Sequence, residues 1–222
     1  MSVRNVGGRV FGVPGGGLRG DVSWAANRET ARVGRTGELR SGVLLGGVVE
    51  RGGTVFHDVR LVGSNANADH VVVSGCRVTV VDSKVWRPGV YWWCGGLWRG
   101  FSRVSYGGRA DLSWVVRRLR GVLSGSGVRF ARPVLLVWSS QRRTAPNVRW
   151  LWIPGTRVVL GEGLTVGRLA RLVGVKPADE GVVGVLAGLV RPAEGSVPAG
   201  SGVVEGGVGV GLPPTDVLGG GA

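Results

Sequence analysis

The stretch Asp69-His70-Val71-Val72-Val73-Ser74-Gly75-Cys76-Arg77-Val78-Thr79-Val80-Val81-Asp82-Ser83-Lys84 decides how this chain folds. Valines fill both halves, as β-branched residues do in strands. Between the halves lies Ser74-Gly75-Cys76-Arg77, and a glycine at the first central position suits a two-residue type II′ turn. With Gly75 and Cys76 at the tip, Asp69 falls opposite Asp82. Lys84, two residues on, shares a face with Asp82. Directly opposed Cβ atoms sit about 5 Å apart, where two like charges repel. A divalent cation turns that repulsion into coordination, since Mg²⁺ takes one or two carboxylates together with waters and phosphate oxygens. The plainer alternative is a pair of exposed acids near a strand end. A three-residue loop would instead set His70 against Asp82.

Outward from the hairpin, charge is the next signal. The chain has 222 residues, enough for one domain with a proper core plus tails, and a formal net charge of +14. From Gly174 onward two basic residues, Lys176 and Arg191, face five acidic ones, Asp179, Glu180, Glu194, Glu205 and Asp216; residues 1–173 therefore carry +17. A basic body of this kind points to a polyanionic partner, nucleic acid first. A genome-wide preference for arginine is the alternative. Lys84 and Lys176 are the only lysines among 28 basic residues. A lysine beside two acids is a compact charge with an adjustable pKa, which arginine is not.

Cys76 and Cys94 are too few and too far apart for a zinc knuckle or a disulfide framework, and read as free thiols in a reducing compartment. Residues 1–28 lack the apolar run of a secretory signal, and the longest apolar candidate, residues 181–190, is too short to span a bilayer. The expectation is a cytoplasmic protein without a membrane partner.

Taken in order, residues 1–27 read as a flexible Gly- and Arg-rich arm. A domain follows over residues 28–173, opening with a helix from Arg28 to about Val49 whose apolar face takes in Ala31, Leu39, Val43, Leu44 and Val48. Gly34 and Gly37 weaken that helix by about 1 kcal/mol each relative to alanine, so they either permit close packing or are a cost. Residues 54–61 form the next strand, and the hairpin comes after it. Trp86-Arg87-Pro88-Gly89 breaks it. Short strands are expected at 90–93 and 97–106, about the turn Cys94-Gly95-Gly96. There, Trp86, Trp92, Trp93 and Trp98 alternate with Arg87, Arg99 and Arg103, a mixture able to stack bases and hold phosphates, although tryptophans on short strands are more often core. A basic helix at 110–123 follows, and the continuous apolar run 134–138 reads as a buried strand. Residues 148–153 and 157–160 read as strands, and 165–172 as a helix with Thr165 as N-cap. Residues 174–222 form a Gly-, Pro- and Val-rich low-complexity tail, mostly disordered, with a short helix at 182–190. This order describes an α/β core with a central mixed sheet flanked by helices.

A family resemblance rests on several of these pieces together. Gly34-Arg35-Thr36-Gly37-Glu38, His57-Asp58-Val59-Arg60, Asn67-Ala68-Asp69-His70, Val81-Asp82-Ser83-Lys84 and Trp86-Arg87, in that order, resemble the nuclease-related (NERD) domain, especially its actinobacterial versions. The resemblance covers roughly residues 28–140. The turn Ser74-Gly75-Cys76-Arg77 lacks the Gly-Pro…Gly character of the family, and Ala68 stands where a larger apolar residue is usual. That family is assigned to the PD-(D/E)xK nuclease superfamily, so the resemblance implies a restriction-endonuclease-like core and a metal-dependent nuclease acting on DNA. It implies that Asp69, Asp82 and Glu38 serve Mg²⁺ or Mn²⁺, with Glu38 reaching it directly or through water. It implies that Lys84 is the lysine of the D-x-K motif, serving the attacking water and a phosphate. Arg87, Trp86, Arg99 and Arg103 are the candidate nucleic-acid contacts. His70 is expected to be a hydrogen-bonded packing residue.

Two other functions are compatible with the sequence. One is a non-catalytic nucleic-acid-binding module that keeps the nuclease fold. The other is an assembly protein whose arginines meet acidic protein partners.

Overall fold

In a computed structural model, residues 8–18, 28–105 and 110–190 are described. The chain runs β1 (Val10–Phe11), α1 (Arg28–Val49), β2 (Thr54–Arg60), β3 (Asn67–Ser74), β4 (Arg77–Trp86), β5 (Gly89–Trp93), β6 (Leu97–Arg99), β7 (Ser102–Arg103), α2 (Ser113–Val122), β8 (Arg129–Phe130), β9 (Val134–Ser139), β10 (Pro146–Asn147), β11 (Arg157–Leu160), α3 (Val166–Val173) and α4 (Glu180–Ala187). The predicted hairpin is β3 and β4. Gly75 has φ +60° while Cys76 stays out of the left-handed region, as a type II′ turn requires. Pairing runs from Ser74/Arg77 to His70/Val81, in the register that the turn dictates.

The main sheet has the order β1-β2-β3-β4-β9-β11, with β8 also paired to β4. β3 runs antiparallel to both of its neighbours, β2 and β4, whereas β9 joins β4 and β11 in parallel. The fold is therefore α/β with a mixed sheet flanked by helices. On one face, Leu45 and Val48 of α1 and Leu169 and Val173 of α3 pack on Val55, Val72, Val81, Val134 and Leu136. On the other, Leu119 of α2 and Val182 and Leu186 of α4 cover Phe56, Val71, Val73, Val78 and Val80. Cover on both faces explains why the valine arms and β9 are apolar without alternation. Each such aliphatic burial contributes about 1.5–3 kcal/mol.

A second sheet, of order β10-β5-β6-β7, packs Tyr91 and Leu97 with Trp86, Leu112 and Ile153 against Leu135 and Val137 of β9. Leu135 and Val137 pair with Asp82 and Lys84, so this small sheet lies on the face of the main sheet that carries those two residues.

Three expectations are corrected. The buried face of α1 is Ala31, Gly37, Ser41, Leu45 and Val48, while Leu39 and Val43 are exposed; small and polar residues face the sheet. Residues 148–153 are irregular apart from a turn at 149–150, and the strand there is Pro146–Asn147 at the small sheet's edge, where a proline is tolerated. Parts of the segments read as arm and tail are ordered structure. β1 pairs with β2, and α4 belongs to the core. The rest of those two readings, residues 1–7, 19–27 and 191–222, lies outside the described residues. Among the described residues, no helix is long and apolar enough to cross a membrane.

Candidate active site

Along β4, Val78 and Val80 lie beneath α2 and α4, and Asp82 and Lys84 continue the same face past that cover. They therefore occupy the gap between those helices and the small sheet. Lys84 Nζ lies 2.5 Å from Asp82 Oδ2 and 4.0 Å from Asp69 Oδ2. All three side chains are largely buried, at 28%, 13% and 17% exposure. One step beyond the His70/Val81 pair, the Ser83 N–H donates to Asp69 Oδ2 at 2.8 Å. A backbone donor thus fixes the orientation of the first aspartate.

The third carboxylate comes from α1. Gly37 sits where this helix touches β4, and a Cβ there would stand 2.8 Å from Val85 Cγ2. That close approach brings the next residue, Glu38, into the field of the pair. Burial, with Asp69 and Asp82 adding to it and Lys84 opposing, pushes the Glu38 carboxyl up to about 9. Asp82 is raised to about 7, first by burial and then by Asp69, against the pull of Lys84. Burial lowers the Lys84 ammonium, but Asp82 and Asp69 outweigh it and hold the group above its ordinary range. Three carboxylates thus share one ammonium, and a retained proton makes up part of the missing positive charge.

The family model of the nuclease-related domain (NERD) matches residues 33–128. No curated protein and no solved structure matches the chain. The NERD span holds Glu38, Asp69, Asp82 and Lys84 together with the hairpin, the strands β5 to β7 and α2. The strands β9 and β11 and helices α3 and α4, which complete the sheet and its cover, follow it.

Behind these carboxylates runs a buried polar chain. His57 Nδ1 and His70 Nδ1 are 2.7 Å apart, His70 Nε2 is 3.2 Å from Ser83 Oγ, and Ser83 Oγ donates to Ser41 Oγ at 2.7 Å. The Trp138 Nε1–H donates to the same Ser41 oxygen at 2.9 Å. Burial lowers both histidines to about 3, so both are neutral near pH 7. His70 is a packing residue that links β2, β3 and β4, and Ser41 ties α1 into the same chain.

Sequence reasoning missed Asp58. It is buried, adopts φ +55°, and accepts from Asn67 Nδ2 at 2.7 Å. The β2–β3 ladder pairs His57 with His70 and Val59 with Ala68, which sets Asp58 level with Asp69. Its charge adds to the elevation of Glu38. The only signal was its place in the motif His57-Asp58-Val59-Arg60; strand alternation says nothing of a left-handed residue.

The four candidate nucleic-acid contacts divide. Arg87 and Arg103 are exposed, and the Arg99 side chain packs over Gly89 in the small sheet. Trp86 is corrected: it is 1% exposed and stacks on Tyr91 with centroids 4.6 Å apart, so it belongs to the core. Cys76 and Cys94 are free and exposed.

Proposed function

We propose that this NERD domain is a metal-dependent nuclease that hydrolyses phosphodiester bonds of nucleic acid, DNA in the first place. The observation that carries the reading is the shortage of positive charge about Glu38, Asp69 and Asp82, with Lys84 as the single ammonium. Among the described residues, no three His, Cys, Asp or Glu side chains close on one point as a full protein cage would. Asp69 and Asp82 would be the two protein ligands of Mg²⁺ or Mn²⁺, with water and substrate oxygens completing the shell. Glu38 joins them, directly or through water, on losing its proton. When bound, such an ion polarises the scissile phosphate and acidifies a water.

The chain's own groups do the rest. Lys84, kept protonated by the two aspartates, sets a fixed positive charge where negative charge gathers on the phosphate oxygens in the transition state. The Ser83 N–H holds Asp69 in place before substrate arrives. The arginine-rich body supplies sequence-independent, salt-sensitive affinity for the backbone.

A second reading is a binding module without catalysis. It draws on the same ammonium: Lys84 already neutralises Asp82, so the acidic pair is partly compensated without a metal. A panel of labelled single-stranded DNA, duplex DNA and RNA, incubated with Mg²⁺, Mn²⁺ or EDTA, decides between them. The nuclease reading expects cutting with either metal and none in EDTA. Binding without cutting of any substrate would leave the module.

A further inference from the structure

We propose that the outer face of the small sheet is a stacking platform for unpaired bases, so that the NERD site works on single-stranded or frayed nucleic acid. The proposal rests on the nuclease reading for its biological meaning, but its geometry stands apart. On β5 and β6, Trp92 and Trp98 are a directly opposed pair, stacked with centroids 5.4 Å apart and an interplanar angle of 15°. Residues alternate along these strands, so the pair faces away from Tyr91 and Leu97, which point into the core. Both indole N–H groups are already used: Trp92 Nε1 donates to the Gly100 carbonyl at 2.8 Å, and Trp98 Nε1 to the Cys94 carbonyl at 3.1 Å. The rings are thus pinned, with no donor left to satisfy, and what they offer is π surface.

The small sheet and its turns carry further exposed rings. Phe101, in the β6–β7 turn beside the Trp92 anchor at Gly100, is 100% exposed. Trp150 and Trp152, on the turn that leaves β10, are 76% and 63% exposed, while Leu151 between them is buried with Tyr91 and holds the turn to the sheet.

Charge identifies the occupant. Arg103 is the cross-strand partner of Trp98, and the Arg149 guanidinium lies 5.3 Å from the Trp150 ring centroid. From Val85 to Gly161 the chain has thirteen arginines and a single acid, Asp111. Aromatic faces interleaved with arginine suit bases and phosphates together, and a second copy of so basic a surface would be repelled. A duplex keeps its base faces covered by stacking, so only unpaired nucleotides can use the platform. The sheet that carries the platform begins close in the chain: Gly89 of β5 is five positions after Lys84, at most about 18 Å of chain.

The test is binding in EDTA, where no cutting occurs, so its outcome is independent of the nuclease reading. Fluorescein-labelled dT20 and a 20-base-pair duplex are titrated with full-length protein at one salt concentration. The expected result is tighter binding of dT20 with quenching of tryptophan fluorescence. The variants Phe101→Ala and Trp150→Ala remove exposed rings without touching the core, and each should weaken dT20 by about 10-fold while leaving the duplex unchanged. Trp92→Ala should do the same, with circular dichroism as the check on folding. Equal affinity for dT20 and duplex, or dT20 binding unchanged in Phe101→Ala and Trp150→Ala, would overturn the proposal. So would sedimentation showing a dimer that Trp150→Ala dissolves, which would make this face a self-contact.

Discussion

At Glu38 the protein holds a proton that water would take. Its carboxyl titrates at about 9 in the folded chain against an ordinary value of 4.5, because burial and the two aspartates penalise the charge. Between those values the folded state binds the proton and the unfolded state has released it. The stabilisation is complete below about pH 4.5 and is lost as pH rises toward 9. Melting temperatures in EDTA from pH 5 to 9 should therefore fall more steeply for wild type than for Glu38→Gln; parallel curves would refute this account of the site. Asp69, Asp82 and Lys84 were legible in the sequence because a two-residue turn and a period of two fix who stands opposite whom. Glu38 was legible only through the family resemblance, since nothing in helical spacing marks one glutamate as buried. Ser41 carried no signal and Asp58 only its place in the family motif, because a strand aspartate and a helix serine look like surface until the fold encloses them.

Among the elements, the contact between α1 and β4 decides whether the site assembles. Two glycines of one helix provide the contrast. A Cβ at Gly46 meets nothing within 4 Å, so Gly46→Ala should stabilise the protein by up to about 1 kcal/mol through helix propensity. A Cβ at Gly37 meets Val85 at 2.8 Å. There the same propensity gain is offset by overpacking of about 1–3 kcal/mol, so Gly37→Ala should lower stability in urea titrations and shift Glu38 away from the aspartates. Equal responses of the two variants would remove the close approach as an explanation. The span of α1 was readable from periodicity and its orientation was not: leucine and valine suggested one face, while glycine and serine, which let the helix approach, define the other.

Across the whole molecule, a stretch of low-complexity composition contributes to the core. Asp179 caps α4, its carboxylate accepting from the Val182 N–H at 3.1 Å, and Val182 and Leu186 are fully buried against the main sheet. Leu186→Ala should cost about 2–5 kcal/mol, measured by denaturant unfolding. A cost below about 0.5 kcal/mol, usual for a surface site, would return this segment to a tail. A short helix over 182–190 was legible in the sequence, but glycine, valine and alanine without clear periodicity hid its place in the core, and its N-cap at Asp179 puts its start two residues earlier. The sheet was easier to read because strands buried on both faces have a composition that few other environments allow. The small sheet was only half legible: the alternation of tryptophan and arginine was visible, but which rings turn inward depended on packing against β9.

In the proposed function, Asp69, Asp82 and Lys84 form a hydrolytic centre with a divalent ion. The most direct measurement is single-turnover cleavage of saturating labelled DNA in Mg²⁺ by wild type, Asp82→Ala and Lys84→Ala, with binding measured alongside in EDTA. Both variants should bind DNA and cut it at least about 100-fold more slowly. Cleavage at the wild-type rate by a folded, DNA-binding Asp82→Ala protein would contradict that function.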